Sequence, residues 1–165
     1  MTVAVAAERR PRYLMVTWAL LLLLGALFLF ASVSDLAADA RTGLPTDHAA
    51  TFAQVAGITW QSATHASPEL TQYITLLEVA YAVHELVFAI LFLLIVAIPF
   101  RRCARWAWWA CWVPMAANLT YSLTFGRHDP KVLVYSLIAD VALPVLLLVQ
   151  APAFFNRQTG RASAA

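Results

Sequence analysis

"YLMVTWALLLLLGALFLFASVS", residues 13–34, is an apolar stretch without a charged side chain, and it decides the fold class. As a helix it would rise about 33 Å, enough to cross the roughly 30 Å hydrocarbon core of a bilayer. Arginines precede it within residues 9–12, and small residues follow its apolar core at Ala31, Ser32 and Ser34, so a cleaved signal peptide is the alternative. A signal peptide has a shorter apolar core, usually about 7–15 residues. The stretch therefore predicts a retained transmembrane helix.

The composition agrees with a membrane protein. The chain has 165 residues, which favours one domain. Hydrophobic residues make up 62% and charged residues 12%, whereas soluble domains carry about 25% charged residues. The net charge is only +2 and the sequence has no basic stripe with interleaved aromatics. We therefore expect the lipid bilayer as a partner and no nucleic acid.

Three further helices follow from local signals. Ser67-Pro68-Glu69 is typical of a helix start, and Pro99 marks the end of the same apolar segment. Short polar connections at 101–105 and 126–131 separate the next two segments. The sequence thus predicts an all-α fold, a four-helix transmembrane bundle within residues 13–155. Its spans cover about 13–34, 72–98, 106–125 and 132–151, with an outer loop over 35–71.

The basic residues predict the orientation. Eight of the eleven lie on one side of the predicted spans, and the side richer in arginine and lysine is usually cytoplasmic. Both termini should then be cytoplasmic, with a basic N-terminus over 1–12 and a disordered tail over 156–165. Nearly all the basic residues are arginine, which fits a high-GC bacterial genome. We expect a multi-pass protein of a bacterial cytoplasmic membrane.

The outer loop contains one helical signal. Pro45-Thr46-Asp47 is typical of a helix start, and Phe52, Val55, Ala56 and Thr59 then share one helical face. This pattern predicts a short amphipathic helix near the membrane surface. An ordinary loop is the alternative.

Polar residues interrupt the predicted spans. In "LLEVAYAVHELVF", residues 76–88, helical steps of about 100° place Glu78, Tyr81 and Glu85 on one stripe with His84 at its edge. Such faces should turn inward, because lipid offers no hydrogen-bond partner. Measured by helical rise from the outer ends of the spans, Glu78, Asn118 and Asp140 should lie at one depth. Glu85 should lie about two turns deeper. The candidate ligand-binding residues are Glu78, Tyr81, His84, Glu85, Asn118, Tyr121 and Asp140.

The predicted spans contain more acidic than basic side chains, which suggests a role for these residues. Three acids and one histidine occur there without lysine or arginine. An acid at mid-bilayer costs roughly 2.5–3.5 kcal/mol on insertion scales. Protonation could offset that cost, and so could a bound cation, which could be a proton in transit, a metal or an organic amine. The structural alternative is a satisfied polar network that locks helix packing.

A second set of polar residues falls outside the predicted spans. It lacks tight ligand spacing such as His-x3-His, so we expect solvated loop residues and no metal site. Haem held by two histidines is not expected either, since only His84 should be buried. No cofactor is predicted. The set comprises Asp47, His48, His65, Glu69, His128 and Asp129.

Two resemblances add to this interpretation. "RRCARWAWWACW", residues 101–112, resembles the turn of small uncharacterised four-helix membrane proteins of actinobacteria, which implies no activity. Asp35-Leu36, "ELVF" at 85–88 and "LPVLLL" at 143–148 resemble the EXPERA family, which includes sterol isomerases and sigma-2-type receptors. That resemblance implies a pocket for sterol-like or amine ligands lined by Asp35, Glu85 and His84.

Three functions remain open at this point. The leading hypothesis is an acidic intramembrane pocket that binds a hydrophobic or cationic small molecule or carries protons. The first alternative is an accessory subunit whose polar residues pair with a membrane protein partner. The second is an EXPERA-like lipid isomerase with His84 or Glu85 as acid and base. Enzymatic activity is therefore left undecided by the sequence.

Overall fold

The computed structural model describes residues 11–155, and within that range every regular element is helical. The predicted all-α fold is confirmed. The predicted basic N-terminus over 1–12 lies outside the described residues at positions 1–10, and so does the predicted disordered tail over 156–165. The helices are α1 (Arg12–Thr42), α2 (Thr46–Ala56), α3 (Trp60–Ala66), α4 (Pro68–Ile95) with a π-helical continuation (Val96–Phe100), α5 (Arg105–Ala110), α6 (Val113–Thr124) and α7 (Pro130–Phe155).

Three of the described helices are long and apolar enough to cross a membrane: α1, α4 with its π-helical continuation, and α7. Each contains an 18-residue window with a mean hydropathy of 2.5. Only 17%, 22% and 28% of these windows are buried inside the chain. The remaining apolar surface of these helices faces outward, where it can contact lipid. The length, hydropathy and exposure of the three helices are those of a membrane protein.

Helix α1 is longer than the predicted span of 13–34. It continues to Thr42, because the segment after Ser34 is rich in alanine and contains no helix breaker. The helix ends at Gly43, which adopts a left-handed conformation with φ of 76° and donates its N–H to the carbonyl of Asp39 at 3.0 Å. Asp35 and Asp39 consequently lie one turn apart on a helix and not in a loop.

The predicted outer loop contains two helices, α2 and α3. Helix α2 begins at Thr46 as predicted, and its polar side is the one that packs against the rest of the chain. His48 and Thr51 are buried, whereas Val55 is 67% exposed. The polar side of α2 turns inward because the surface that receives it carries carboxylates, as described below.

The predicted single span over 106–125 is divided into α5 and α6, so the prediction of one continuous helix was wrong. Pro114, in the first turn of α6, has no N–H and cannot bond the carbonyl of Ala110. Cys111 and Trp112 form the connecting turn. Both short helices still pack against α7.

The packing order leaves one gap in the bundle. Helix α1 packs most extensively against α4 and next against α7, and α6 packs against α7. Helices α4 and α6 have no comparable contact with each other. The order is therefore α4, α1, α7, α6, with α4 and α6 at its two edges.

Hydrogen bonds from two tryptophan indoles and one glutamine amide connect the helices at one end of the bundle. We call it the basic end, because Arg101, Arg102 and Arg105 lie there. Trp18 donates its Nε1–H to the carbonyl of Val96 at 2.9 Å, and Trp108 donates to that of Leu147 at 2.9 Å. Gln150 donates to the carbonyl of Leu14 at 2.8 Å. These bonds join α1, α4, α5 and α7 around a core that includes Leu21, Val96, Cys111, Leu143 and Leu147.

Candidate functional site

Helix α2 closes the gap between α4 and α6 at the end opposite the basic turn, which we call the capped end. Nδ1 of His48 lies 2.7 Å from Oε2 of Glu78 on α4. The Tyr121 hydroxyl on α6 donates to Oδ2 of Asp47 at 3.0 Å and lies 3.4 Å from Nε2 of His48. One turn of α2 thus bridges the two edges of the bundle.

Aromatic rings surround the imidazole of His48. It stacks on Phe125 with a centroid distance of 4.7 Å, and Tyr81 and Tyr121 lie at 6.0 Å and 6.1 Å. Tyr121 in turn stacks on Phe125 at 4.9 Å. Offset ring packing of this kind fixes the orientation of the imidazole. His48 is only 4% exposed.

Carboxylates from three helices converge around this histidine. Asp35 lies within electrostatic range of Glu85, Asp47 and His48. Asp39 lies within range of Glu78 and His48. We call the set the acidic cluster: Asp35 and Asp39 on α1, Asp47 on α2, and Glu78 and Glu85 on α4.

His48 is the cationic counterpart of these acids. Burial alone would lower its pKa, but the hydrogen bond and the charge of Glu78, together with the charges of Asp47 and Asp35, outweigh burial. The pKa of His48 is therefore raised above its ordinary value of 6.5. Within residues 11–155 it is the one basic side chain in contact with the cluster. The five carboxyl groups of the acidic cluster thus share one imidazole as their basic partner.

Within residues 11–155, Asp39 is a member of the cluster that is buried without hydrogen bonds to its carboxylate. Its side chain is 3% exposed, and neither carboxylate oxygen has a hydrogen-bond partner among the described residues. Protonation would not resolve this, because a neutral carboxyl still needs an acceptor for its O–H. The Thr51 hydroxyl, one turn after His48 on the buried side of α2, also lacks a partner there. Buried polar groups of this kind usually have a partner, and a ligand can supply it.

A separate polar network joins α6 to α7. The Asn118 amide donates to Oδ1 of Asp140 at 2.7 Å and to the carbonyl of Ser136 at 3.0 Å. The Ser122 hydroxyl donates to Oδ2 of Asp140 at 2.5 Å. Asp140 is therefore satisfied within its own helix pair. The predicted layer that would unite it and Asn118 with Glu78 is divided into two sites.

His84 lies away from the acidic cluster. It is exposed on α4, and its Nδ1 bonds the carbonyl of Ala80 in the same helix at 2.6 Å. The expectation that His84 is the buried histidine was wrong, because one helical step rotates it off the stripe of Glu78, Tyr81 and Glu85. The buried histidine is His48. Among the residues that the EXPERA resemblance placed in a pocket, Asp35 and Glu85 come together and His84 does not.

The sequence pattern did not predict Asp39, Asp47 or His48 as members of the site. Asp35 was placed in a pocket only by the EXPERA resemblance, and its pairing with Asp39 was not predicted. The four-residue spacing of the two aspartates was the available signal, since it places both on one face of a helix that continues past Ser34. The other predicted loop residues stay apart from the cluster. His65 and Glu69 are exposed, and Asp129 accepts the backbone N–H of Lys131 at 2.8 Å.

Across residues 11–155, no group of three or more histidine, cysteine, aspartate and glutamate side chains has a geometry suited to a metal ion. No protein-family model, curated protein or solved structure matches the chain.

Proposed function

We propose that this chain is a multi-pass protein of a bacterial cytoplasmic membrane with four crossings. Three are α1, α4 with its continuation, and α7, and the fourth is the α5–α6 pair, whose roughly 30 Å length suits a bilayer. The basic end would face the cytoplasm, because basic residues favour that side. The capped end, with α2 and the acidic cluster, would face outward.

The function we propose is binding of a small cation by the acidic cluster. The cation is either a protonated amine or a proton in transit. The observation that carries this proposal is Asp39, a carboxylate that is 3% exposed and has no hydrogen-bond partner within the described chain. A buried carboxylate that accepts no hydrogen bond is strongly unfavourable, so a positively charged donor bound beside it would stabilise the folded protein.

Helix α2 supports an entry route. It is held between α4 and α6 by the Glu78 and Tyr121 contacts of a single turn, and α4 and α6 do not pack closely on each other. Displacement of α2 would uncover the cluster without separating α1 from α4 or α6 from α7. We therefore assign α2 the role of a cap over the site.

The experiment is native mass spectrometry on gently extracted protein, with Asp39→Asn and Glu85→Gln beside the wild type. Asp140→Asn is the matched control, since it also neutralises an intramembrane acid but lies in the separate α6–α7 network. A bound cationic mass should be present in the wild type and the control and absent from both cluster variants. If the cation is a proton, proteoliposomes with a trapped pH-sensitive dye should show proton flux for the wild type and Asp140→Asn. They should show none for Asp39→Asn and Glu85→Gln.

The same spectra distinguish the accessory-subunit alternative. A stoichiometric protein partner that all four proteins retain would favour that role. A bound mass retained equally by wild type and cluster variants would contradict cation binding by the cluster.

A further inference from the structure

A second candidate site lies at the basic end, far from the acidic cluster. A shallow, largely open cleft of about 300 Å³ lies there on the outer face of the π-helical continuation of α4 and the turn that follows, and its lining residues are Ala97, Ile98, Arg101 and Arg102. A smaller cavity of about 20 Å³ lies on the side of Arg101 that faces α1 and α7, beside Trp18 and Gln150. Arg101 thus contributes to both openings.

The cleft carries uncompensated positive charge. Within residues 11–155, neither Arg101 nor Arg102 forms an ion pair, and the five acids of the acidic cluster lie at the other end of the bundle. The Arg101 guanidinium lies 5.2 Å from the ring centroid of Trp18, which holds it in place without neutralising it. The two guanidinium groups therefore remain available for an anion.

The backbone of this turn is held by several hydrogen bonds. Pro99 lies inside the π-helical segment, and π-helical turns occur often at functional sites. The N–H of Arg102 donates to the carbonyls of Ile98 and Pro99, and that of Ala104 donates to Pro99. Cys103 adopts a left-handed φ of 56°, which sharpens the turn. The arginines consequently project from a defined loop.

The surface beside the cleft is apolar. Leu91, Leu94 and Ile98 are 52%, 50% and 50% exposed and follow one another at helical spacing toward the middle of α4. Trp106 and Trp109 are exposed next to the turn, at the depth where tryptophans meet lipid headgroups. A ligand of this cleft can therefore place an anion on the arginines and a hydrocarbon chain along α4.

We infer that the cleft binds the phosphate group of an anionic phospholipid, with one acyl chain against the Leu91, Leu94 and Ile98 stripe. Arginine forks match phosphate oxygens, and basic pockets beside transmembrane helices recognise anionic headgroups. A free phosphate ion would use the arginines alone and leave the apolar stripe without a role. This inference does not depend on the acidic cluster or on the cation it binds.

The test is lipid competition on the purified full chain in detergent. The protein is offered equal amounts of phosphatidylglycerol and phosphatidylcholine, and retained lipid is counted by native mass spectrometry. The wild type should prefer phosphatidylglycerol, and the Arg101→Gln/Arg102→Gln variant should lose that preference roughly tenfold or more. The control is Arg41→Gln/Arg127→Gln, which removes the same charge from exposed sites at the other end and should leave the preference unchanged.

A single substitution tests whether a lost lipid preference reflects misfolding of the double variant. Arg102→Gln keeps the contact between Arg101 and Trp18, so it should fold and melt as the wild type does while losing part of the preference. Equal preference in the wild type and the double variant would overturn the inference. So would equal loss in the control, or displacement of phosphatidylglycerol by inorganic phosphate, which would assign the cleft to a free anion.

Discussion

Nδ1 of His48 lies 2.7 Å from Oε2 of Glu78, and this pair joins the cap helix α2 to the spanning helix α4. The histidine is 4% exposed and the glutamate side chain 22% exposed, so water screens the pair only from one side. The other side-chain hydrogen-bonding contacts of α2 with neighbouring helices are made by the Tyr121 hydroxyl, with Asp47 at 3.0 Å and His48 at 3.4 Å. The pair is therefore the main polar anchor of the cap.

Replacing His48 should loosen α2 while the rest of the bundle stays folded. His48→Ala leaves the Glu78 carboxylate without its partner, a loss of roughly 1–3 kcal/mol in local stability. Hydrogen exchange should then rise in α2 and not in α1 or α7. His65→Ala is the matched control, because His65 is exposed on α3. Unchanged exchange in α2 of the His48 variant would contradict the anchor role.

The anchor should also depend on pH. The folded protein raises the pKa of His48 above 6.5, through Glu78, Asp47 and Asp35. The stabilisation is therefore complete below 6.5 and is lost as the pH rises through the raised value. The melting temperature, followed by tryptophan fluorescence, should fall over that window. His48→Gln should abolish this part of the pH dependence, and a melting temperature that rises with pH in the wild type would refute the prediction.

Neighbouring tryptophans should differ sharply in their effect on stability. Trp108 is 7% exposed and donates to the Leu147 carbonyl, whereas Trp109 is 62% exposed. Trp108→Ala should cost about 3–5 kcal/mol of unfolding free energy through cavity formation and the lost hydrogen bond. Trp109→Ala should change it little. Denaturation of both variants in mixed detergent measures the difference, and similar costs would contradict the assignment of Trp108 to the core.

The α6–α7 network should contribute stability and not ligand binding. Asn118→Ala removes the donor to Oδ1 of Asp140 and should destabilise the protein by roughly 1–3 kcal/mol. Thr120→Ala is a suitable comparison, since that hydroxyl bonds only the Ala116 carbonyl of its own helix. Thermal unfolding of the two variants gives the measurement. Loss of a bound cation in Asn118→Ala without loss of stability would reverse the assignment.

Two left-handed glycines offer a paired test of the turn after α1. Gly57→Ala should cost about 1–2 kcal/mol for its positive φ alone, because nothing lies near the added Cβ. Gly43→Ala should cost more, since its Cβ would lie 2.8 Å from Oγ1 of Thr75, which donates to the Gly43 carbonyl at 2.7 Å. Equal losses in melting temperature would show that Thr75 can move without cost.

Periodicity and length were enough to predict the helical class and the three apolar spans, because lipid exposure imposes long apolar segments at 13–34, 72–98 and 132–151. The break before Pro114 was not predicted, although proline in a first turn marks a helix start. The extension of α1 over Asp35 and Asp39 was not predicted because their charge suggested a loop, although their four-residue spacing fits one helical face.

The face of α2 could not be predicted from its own residues. Phe52 and Val55 predict an apolar face for the membrane surface, and they carry no information on what the opposite face contacts. The surface that receives this opposite face contains Glu78, Asp35 and Asp39, which come from other parts of the chain. His48 therefore belongs to the site only because the tertiary structure makes a polar face the complementary one.

The contacts of His48 also fix the order in which the site can be completed during synthesis. Glu78 follows it by 30 positions along the chain and Tyr121 by 73. The ribosome must therefore release α6 before both edges can hold α2. A nascent chain that ends after α4 can already form the His48–Glu78 contact, so α2 is held at one edge first and at the other only when Tyr121 has been released.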